Sequence, residues 1–130
     1  MLAFLKEVEC TFGADPRKTV LGGFSQGAKL TCDSILHTDR PYAGLVQLSG
    51  NLLATQEWSS LMPKRRGLPV FQSHGVQDEI LPYLGAERLR DALSQSGLAV
   101  EWQRFRGGHE IPEPVLQRLG VFLTKVLTTP

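Results

Sequence analysis

Val20-Leu-Gly-Gly-Phe-Ser-Gln-Gly-Ala28 is the stretch whose reading decides the fold of this chain. Its first half, with Thr19 before it, is an apolar run of strand length, and Ala28, Thr31 and Ile35 then fall on one helical face as far as His37. A strand that passes straight into a helix through Gly23-Phe-Ser-Gln-Gly27 is the context in which a G-x-S-x-G turn exposes its serine. The spacing has a steric reason. Where the chain reverses so sharply, side chains two places before and two after the serine would meet the neighbouring strand or helix, so glycine is expected at both Gly23 and Gly27. Ser25 then stands at a helix N-terminus, with the amide of Gln26 directed toward any negative charge that develops there. The competing reading is a tight glycine-rich turn carrying an inert serine.

Outward from this turn the chain alternates. Upstream, Leu2, Leu5, Val8 and Phe12, with Phe4 alongside, recur at helical spacing, and Gly13 and Asp15-Pro16 stop the helix. Downstream, Ala43–Leu48 forms a second strand and Leu68–Ser73 a third, separated by an irregular segment and a Pro/Gly/Lys/Arg-rich loop from Met62 to Pro69. Leu84, Leu89, Ala92 and Leu93 mark a helix closed by Gly97, and Val100–Phe105 alternates as a fourth strand. A last helix opens near Pro112 and carries Val115, Leu119, Phe122, Leu123 and Val126 on one side. Strands separated by helices predict about four parallel strands with helices on both faces, an α/β fold, as one domain over residues 1–130.

In such sheets ligands bind beyond the carboxyl ends of the strands. Strand one ends at Ser25. Strand three ends at Ser73-His74-Gly75, and Asp78 follows in the loop, where an orienting carboxylate belongs. Glu79 is its neighbour and competitor, expected to face solvent, and a turn aspartate bonded to its own backbone is the plainer reading of Asp78. Strand four ends at Arg106-Gly-Gly-His109, where two glycines let the chain approach the site closely. His37 and His74 read as structural, at a helix end and a strand end. The chemistry of the three candidates is complementary: Ser25 attacks an acyl carbonyl, His109 takes and returns its proton, and Asp78 holds the imidazole in the required tautomer.

Composition narrows the partners. Of 130 residues, 42% are hydrophobic and 21% charged, with a net charge of +1, which offers no electrostatic footprint for nucleic acid or an anionic membrane. No apolar run is long enough to span a bilayer, and Lys6, Glu7 and Glu9 interrupt the start too early for a signal peptide, so a cytoplasmic protein without stable membrane insertion is expected. Cys10 and Cys32 lack metal-ligand spacing and read as free thiols.

Taken together, Val20–Ala28, Leu48-Ser-Gly50 with Leu52-Leu53, His74-Gly-Val-Gln-Asp78 with Pro82, and Gly107-Gly-His-Glu-Ile111 resemble the phospholipase/carboxylesterase branch of the α/β-hydrolases, the branch that includes acyl-protein thioesterases. The order Ser, Asp, His is also theirs. The resemblance extends over essentially all 130 residues and implies a nucleophile at Ser25, an acid at Asp78, a base at His109 and one oxyanion-hole amide at Gln26. It implies an acyl pocket bordered by Leu52, Leu53, Trp58 and Leu61, for each of which simple packing is an equal reading. The expected activity is hydrolysis of small to medium acyl esters or thioesters, with neither metal nor organic cofactor. Members of that branch begin with further strands and a His-Gly loop that donates a second oxyanion amide, whereas this sequence begins at the helix before the nucleophile strand, so a truncated fold is expected. A homodimer covering the strand edge near residues 19–24 would follow, and a catalytically weak interaction module is the alternative.

Overall fold

A computed structural model describes residues 2–128, apart from the side chains of residues 8–12. The expected inward face of Val8 and Phe12 and the state of the Cys10 thiol lie outside the described residues. Apart from α3, the elements alternate as the sequence predicts: α1 (Leu2–Phe12), β1 (Val20–Phe24), α2 (Gln26–Leu36), β2 (Gly44–Leu48), α3 (Thr55–Leu61), β3 (Pro69–Gly75), α4 (Tyr83–Gln95), β4 (Ala99–Phe105) and α5 (Glu113–Thr128). Asp15 caps a short 3-10 turn at Pro16–Lys18 by accepting from the Arg17 amide, which delivers the chain into β1.

Four parallel strands form one sheet whose spatial order is the chain order, β1-β2-β3-β4. Each crossover therefore steps across the sheet in the same direction, and right-handed connections bring α2, α3 and α4 to one face. There Leu21, Leu45 and Val70 from the strands pack with Cys32, Ile35 and Leu36 of α2, Trp58 of α3, and Leu89 and Leu93 of α4. The strand residues one place along point the other way. Val46, Leu48 and Phe71 meet Val115 and Phe122 of α5. Helices do lie on both faces, but unequally, since among the described residues α5 is the one helix packed on its face. The central strands β2 and β3 are buried on both faces, and full burial of each large apolar side chain there contributes about 1.5–3 kcal/mol.

The segment read as irregular between Asn51 and Met62 contains α3 and runs into a second 3-10 turn at Met62–Arg65. Seven residues are too few to display a helical period, and Ala54 before the helix offers no capping side chain and has φ 33°. The basic loop that follows is not wholly a surface feature. Arg65 is buried and donates to the carbonyls of Ile35, Thr38 and Arg40, satisfying the C-terminal end of α2 and the turn beyond it. Burial lowers the tendency of its guanidinium to hold a proton, with Asp39 and Tyr42 acting in the opposite sense.

Candidate active site

The turn after β1 places Ser25 at φ 59° and ψ −114°, a backbone conformation that side-chain-bearing residues rarely adopt and that costs on the order of 1–3 kcal/mol. Two features hold it there. The Ser25 amide donates to Leu48 O of the adjoining strand at 2.9 Å, and its carbonyl accepts from the amides of Ala28 and Lys29 as α2 begins. Gly23 is required by close approach, because a Cβ there would lie 2.3 Å from the Gly27 carbonyl carbon. Gly27 itself faces open space. The expectation that both glycines relieve side-chain crowding is thus corrected: the collision is one-sided, between a Cβ on residue 23 and the backbone of residue 27.

Asp78 and His109 follow the ends of β3 and β4, and the backbone ties those loops together. Val76 N donates to Phe105 O and Gln77 N to Gly107 O, at 3.0 and 2.9 Å. A Cβ on Gly75 would lie 2.3 Å from Gly108 O, so the approach of the two loops depends on that glycine. Glu110 steadies the turn by accepting from Gly108 N through its carboxylate. His109 is thereby carried to the end of β1, where its ring lies 4.7 Å from that of Phe24, tilted by 41°.

The three side chains meet in a row. Asp78 Oδ2 is 2.8 Å from His109 Nδ1, and His109 Nε2 is 3.0 Å from Ser25 Oγ. A carboxylate only accepts, so Nδ1 carries the proton and Nε2 is left to accept from the serine hydroxyl. Glu79 is exposed, as expected, which leaves Asp78 as the carboxylate within reach. The other oxygen of Asp78 accepts from the amides of Ile80 and Leu81 at 2.9 and 2.8 Å, so the turn-aspartate reading and the imidazole-partner reading both describe this one side chain. Burial by itself would raise the Asp78 pKa, but the Leu81 amide, His109 and the Ile80 amide together outweigh it and hold the carboxyl below its ordinary value.

His74 has more to do than its sequence position suggests. It is fully buried, donates from Nε2 to Leu81 O at 2.7 Å, and the same nitrogen lies 3.2 Å from Asp78 Oδ2. Two histidines therefore flank one carboxylate. Neither His74 nor Phe24 had a chemical signal in the sequence, since both act through their neighbours. Gln26 is the first residue of α2, and its amide belongs to the helix-start donors that lack an intrahelical acceptor.

The four residues expected to border an acyl pocket differ in their surroundings. Trp58 has no exposed surface, packs in the α2/α4 core and donates from Nε1 to Asp33 Oδ1 at 2.9 Å, so its role is packing. Leu52 and Leu61 are half-buried against that same core, whereas Leu53 is exposed. Cys32 is buried and free, with its thiol pushed up to about 12 by burial and then by the Asp33 charge, which makes it inert as a nucleophile.

The sequence model of the phospholipase/carboxylesterase family matches residues 3–127. Among curated proteins, acyl-protein thioesterase 1 of Neurospora crassa is 32% identical over 126 residues, covering 94% of this chain and 51% of that protein. The Gibberella zeae protein of the same name is 30% identical, covering 95% and 54%. Among solved structures, esterase PE8 superposes with a TM-score of 0.88 at 28% identity, covering 97% of this chain and 58% of that one. Arabidopsis thaliana SOBER1 follows with 0.83 at 25%, covering 97% and 60%. The chain spans about half the length of the curated relatives it matches.

Proposed function

Because the chain belongs to the phospholipase/carboxylesterase family of α/β-hydrolases, we propose that it is a serine hydrolase of small to medium acyl esters or thioesters, working through Ser25, His109 and Asp78. The observation that carries this reading is the unbroken chain of contacts from Asp78 through His109 to a serine held in a strained turn at a helix N-terminus. In the first step His109 Nε2 takes the hydroxyl proton as Ser25 Oγ adds to the acyl carbon. The negative oxygen of the tetrahedral intermediate is met by the Gln26 amide. Collapse expels the alcohol or thiol, which receives its proton from His109 and leaves an acyl-serine. Water then repeats the sequence and releases the acid. Throughout, Asp78 stays ionised and stabilises the imidazolium that forms twice per cycle.

The test is hydrolysis of a short-chain activated ester by the purified chain, with Ser25→Ala beside it and a fluorophosphonate as covalent probe. We expect turnover in the wild type, a loss of at least about 10³-fold in the variant, and labelling of Ser25 alone. Equal background rates and no labelling would instead favour a fold that serves as an interaction module.

A further inference from the structure

The loop that carries Asp78 is held from inside by a side chain that the hydrolytic steps leave unused. Between the end of β3 and the start of α4 the chain runs along the surface: Val76, Gln77, Glu79 and Ile80 are exposed, and Asp78 among them is buried. A loop with so little buried surface has few contacts of its own with which to fix a carboxylate. His74, next to last in β3 and fully buried, reaches that loop from the strand.

The neighbours of this ring fix where its proton lies. His74 Nε2 is 2.7 Å from Leu81 O and 3.2 Å from Asp78 Oδ2, and both oxygens only accept, so Nε2 carries a proton directed to Leu81 O with the carboxylate oxygen beside it. Nδ1 is buried without a hydrogen-bond partner among the described residues, which leaves Nε2 as the working end of the ring. The Leu81 that accepts from His74 also donates its amide to Asp78 Oδ1 at 2.8 Å. His74, Leu81 and Asp78 thus form a closed circuit in which each touches the other two. The ring is backed by Tyr83 of α4, with centroids 6.2 Å apart and a tilt of 59°, and Tyr83 in turn lies 5.9 Å from Trp102 of β4.

We propose that His74 is a positioning residue for the hydrolytic reaction: it fixes where Asp78 presents Oδ2 to His109, and acts on the chemistry through that carboxylate. This rests on the reading of Ser25, His109 and Asp78 as a hydrolytic triad. Oδ2 is the oxygen that accepts from His109 Nδ1 at 2.8 Å, and it is also the one beside the His74 N–H. A second N–H close to that oxygen disperses its negative charge and so opposes passage of the Nδ1 proton onto the carboxylate when the imidazole becomes positive. Without it, the Ile80 and Leu81 amides still anchor Oδ1, but Oδ2 is left to swing about that anchor. The role calls for an N–H at the ε position rather than for a histidine as such. Glutamine carries its amide nitrogen that far along the side chain, asparagine stops one atom short, and phenylalanine keeps a ring without a donor.

The experiment compares His74→Gln, His74→Asn and His74→Phe with the wild-type chain in two readouts. The first is the low-field proton resonance of the hydrogen bond from His109 Nδ1 to Asp78, recorded by NMR at low temperature and assigned by its loss in His109→Gln. The second is kcat and KM for the short-chain activated ester, with the active fraction counted by end-point fluorophosphonate labelling so that partial unfolding does not pass for a chemical defect. In His74→Asn and His74→Phe we expect the resonance to shift upfield or broaden away and kcat to fall by about 10²-fold with KM within about twofold, whereas His74→Gln keeps the resonance and stays within about tenfold of the wild-type kcat. A resonance and a kcat unchanged in both His74→Asn and His74→Phe would overturn the proposal. So would a His74→Gln that loses as much as His74→Phe, because the ring would then serve packing alone. If His74→Phe fails to fold, the asparagine and glutamine variants carry the same discrimination. A wild type with the resonance but no Ser25-dependent turnover removes the hydrolase reading, while the resonance in the variants still decides how Asp78 is held; a wild type with neither removes both.

Discussion

Asp78 concentrates most of what can be tested one residue at a time. Both of its oxygens are occupied and its side chain has no solvent exposure, so replacing it with asparagine keeps the shape while removing the charge. An amide at Oδ2 directs its NH₂ toward His109 or forces the ring to the other tautomer, in which Nε2 no longer accepts from Ser25. We expect Asp78→Asn to lower kcat by about 10⁴-fold with the fold intact, measured by ester hydrolysis and circular dichroism. The same change alters acid stability in a direction fixed by its lowered pKa. A carboxyl held below its ordinary value of 3.8 favours the folded state at all pH above that value, and the contribution disappears as pH falls through the lower, folded value. Urea midpoints followed from about pH 5 down to about pH 2 should therefore fall less steeply for Asp78→Asn than for the wild type. A parallel pair of profiles would show that the carboxylate has no net preference for the folded state.

The turn between β1 and α2 makes an unusually sharp prediction at the level of the element. Gly23→Ala places a Cβ against the Gly27 backbone, where no flexible side chain can yield, and should destabilise the chain by about 1–3 kcal/mol or more and misplace Ser25. Gly27→Ala enters open space within a helix, where alanine is preferred by up to about 1 kcal/mol, and should leave the denaturation midpoint unchanged or raised. Two glycines that look equivalent in a G-x-S-x-G pattern are thus distinguished by one denaturation series. This also shows what was legible beforehand. The strands and the longer helices could be read because apolar periodicity and glycine stops are local properties, and the candidates Ser25, Asp78 and His109 could be read because each follows its strand directly. Which way a side chain turns was not legible: Trp58 goes to the core, and Arg65, in a stretch that reads as surface loop, is consumed by carbonyls 25 to 30 residues away. Such outcomes depend on which elements dock together, and α3 was itself too short to declare a period.

For the molecule as a whole, the main consequence concerns β1. It is an edge strand with β2 as its one strand neighbour among the described residues, and Gly22 and Phe24 on it are exposed because α5 reaches mainly the β2 and β3 residues of that face. We infer that a second copy of the chain pairs along this edge about a two-fold axis, extending the sheet and covering Phe24. Light scattering at micromolar concentration should return about twice 14.4 kDa, and a monomer under those conditions would remove the idea. Among the described residues no helix is long and apolar enough to cross a membrane.

The agreement between strand order and chain order also governs how the molecule comes into being. Each parallel pair joins segments only roughly 25 to 30 residues apart, so the sheet can grow by successive local additions in the order in which the chain is synthesised. The serine and its imidazole partner, by contrast, are 84 residues apart, and their contact needs β4 and the loop beyond it. A nascent chain would thus hold a nearly finished sheet while Ser25 still lacked its imidazole partner, and that contact would form only with the arrival of the last strand.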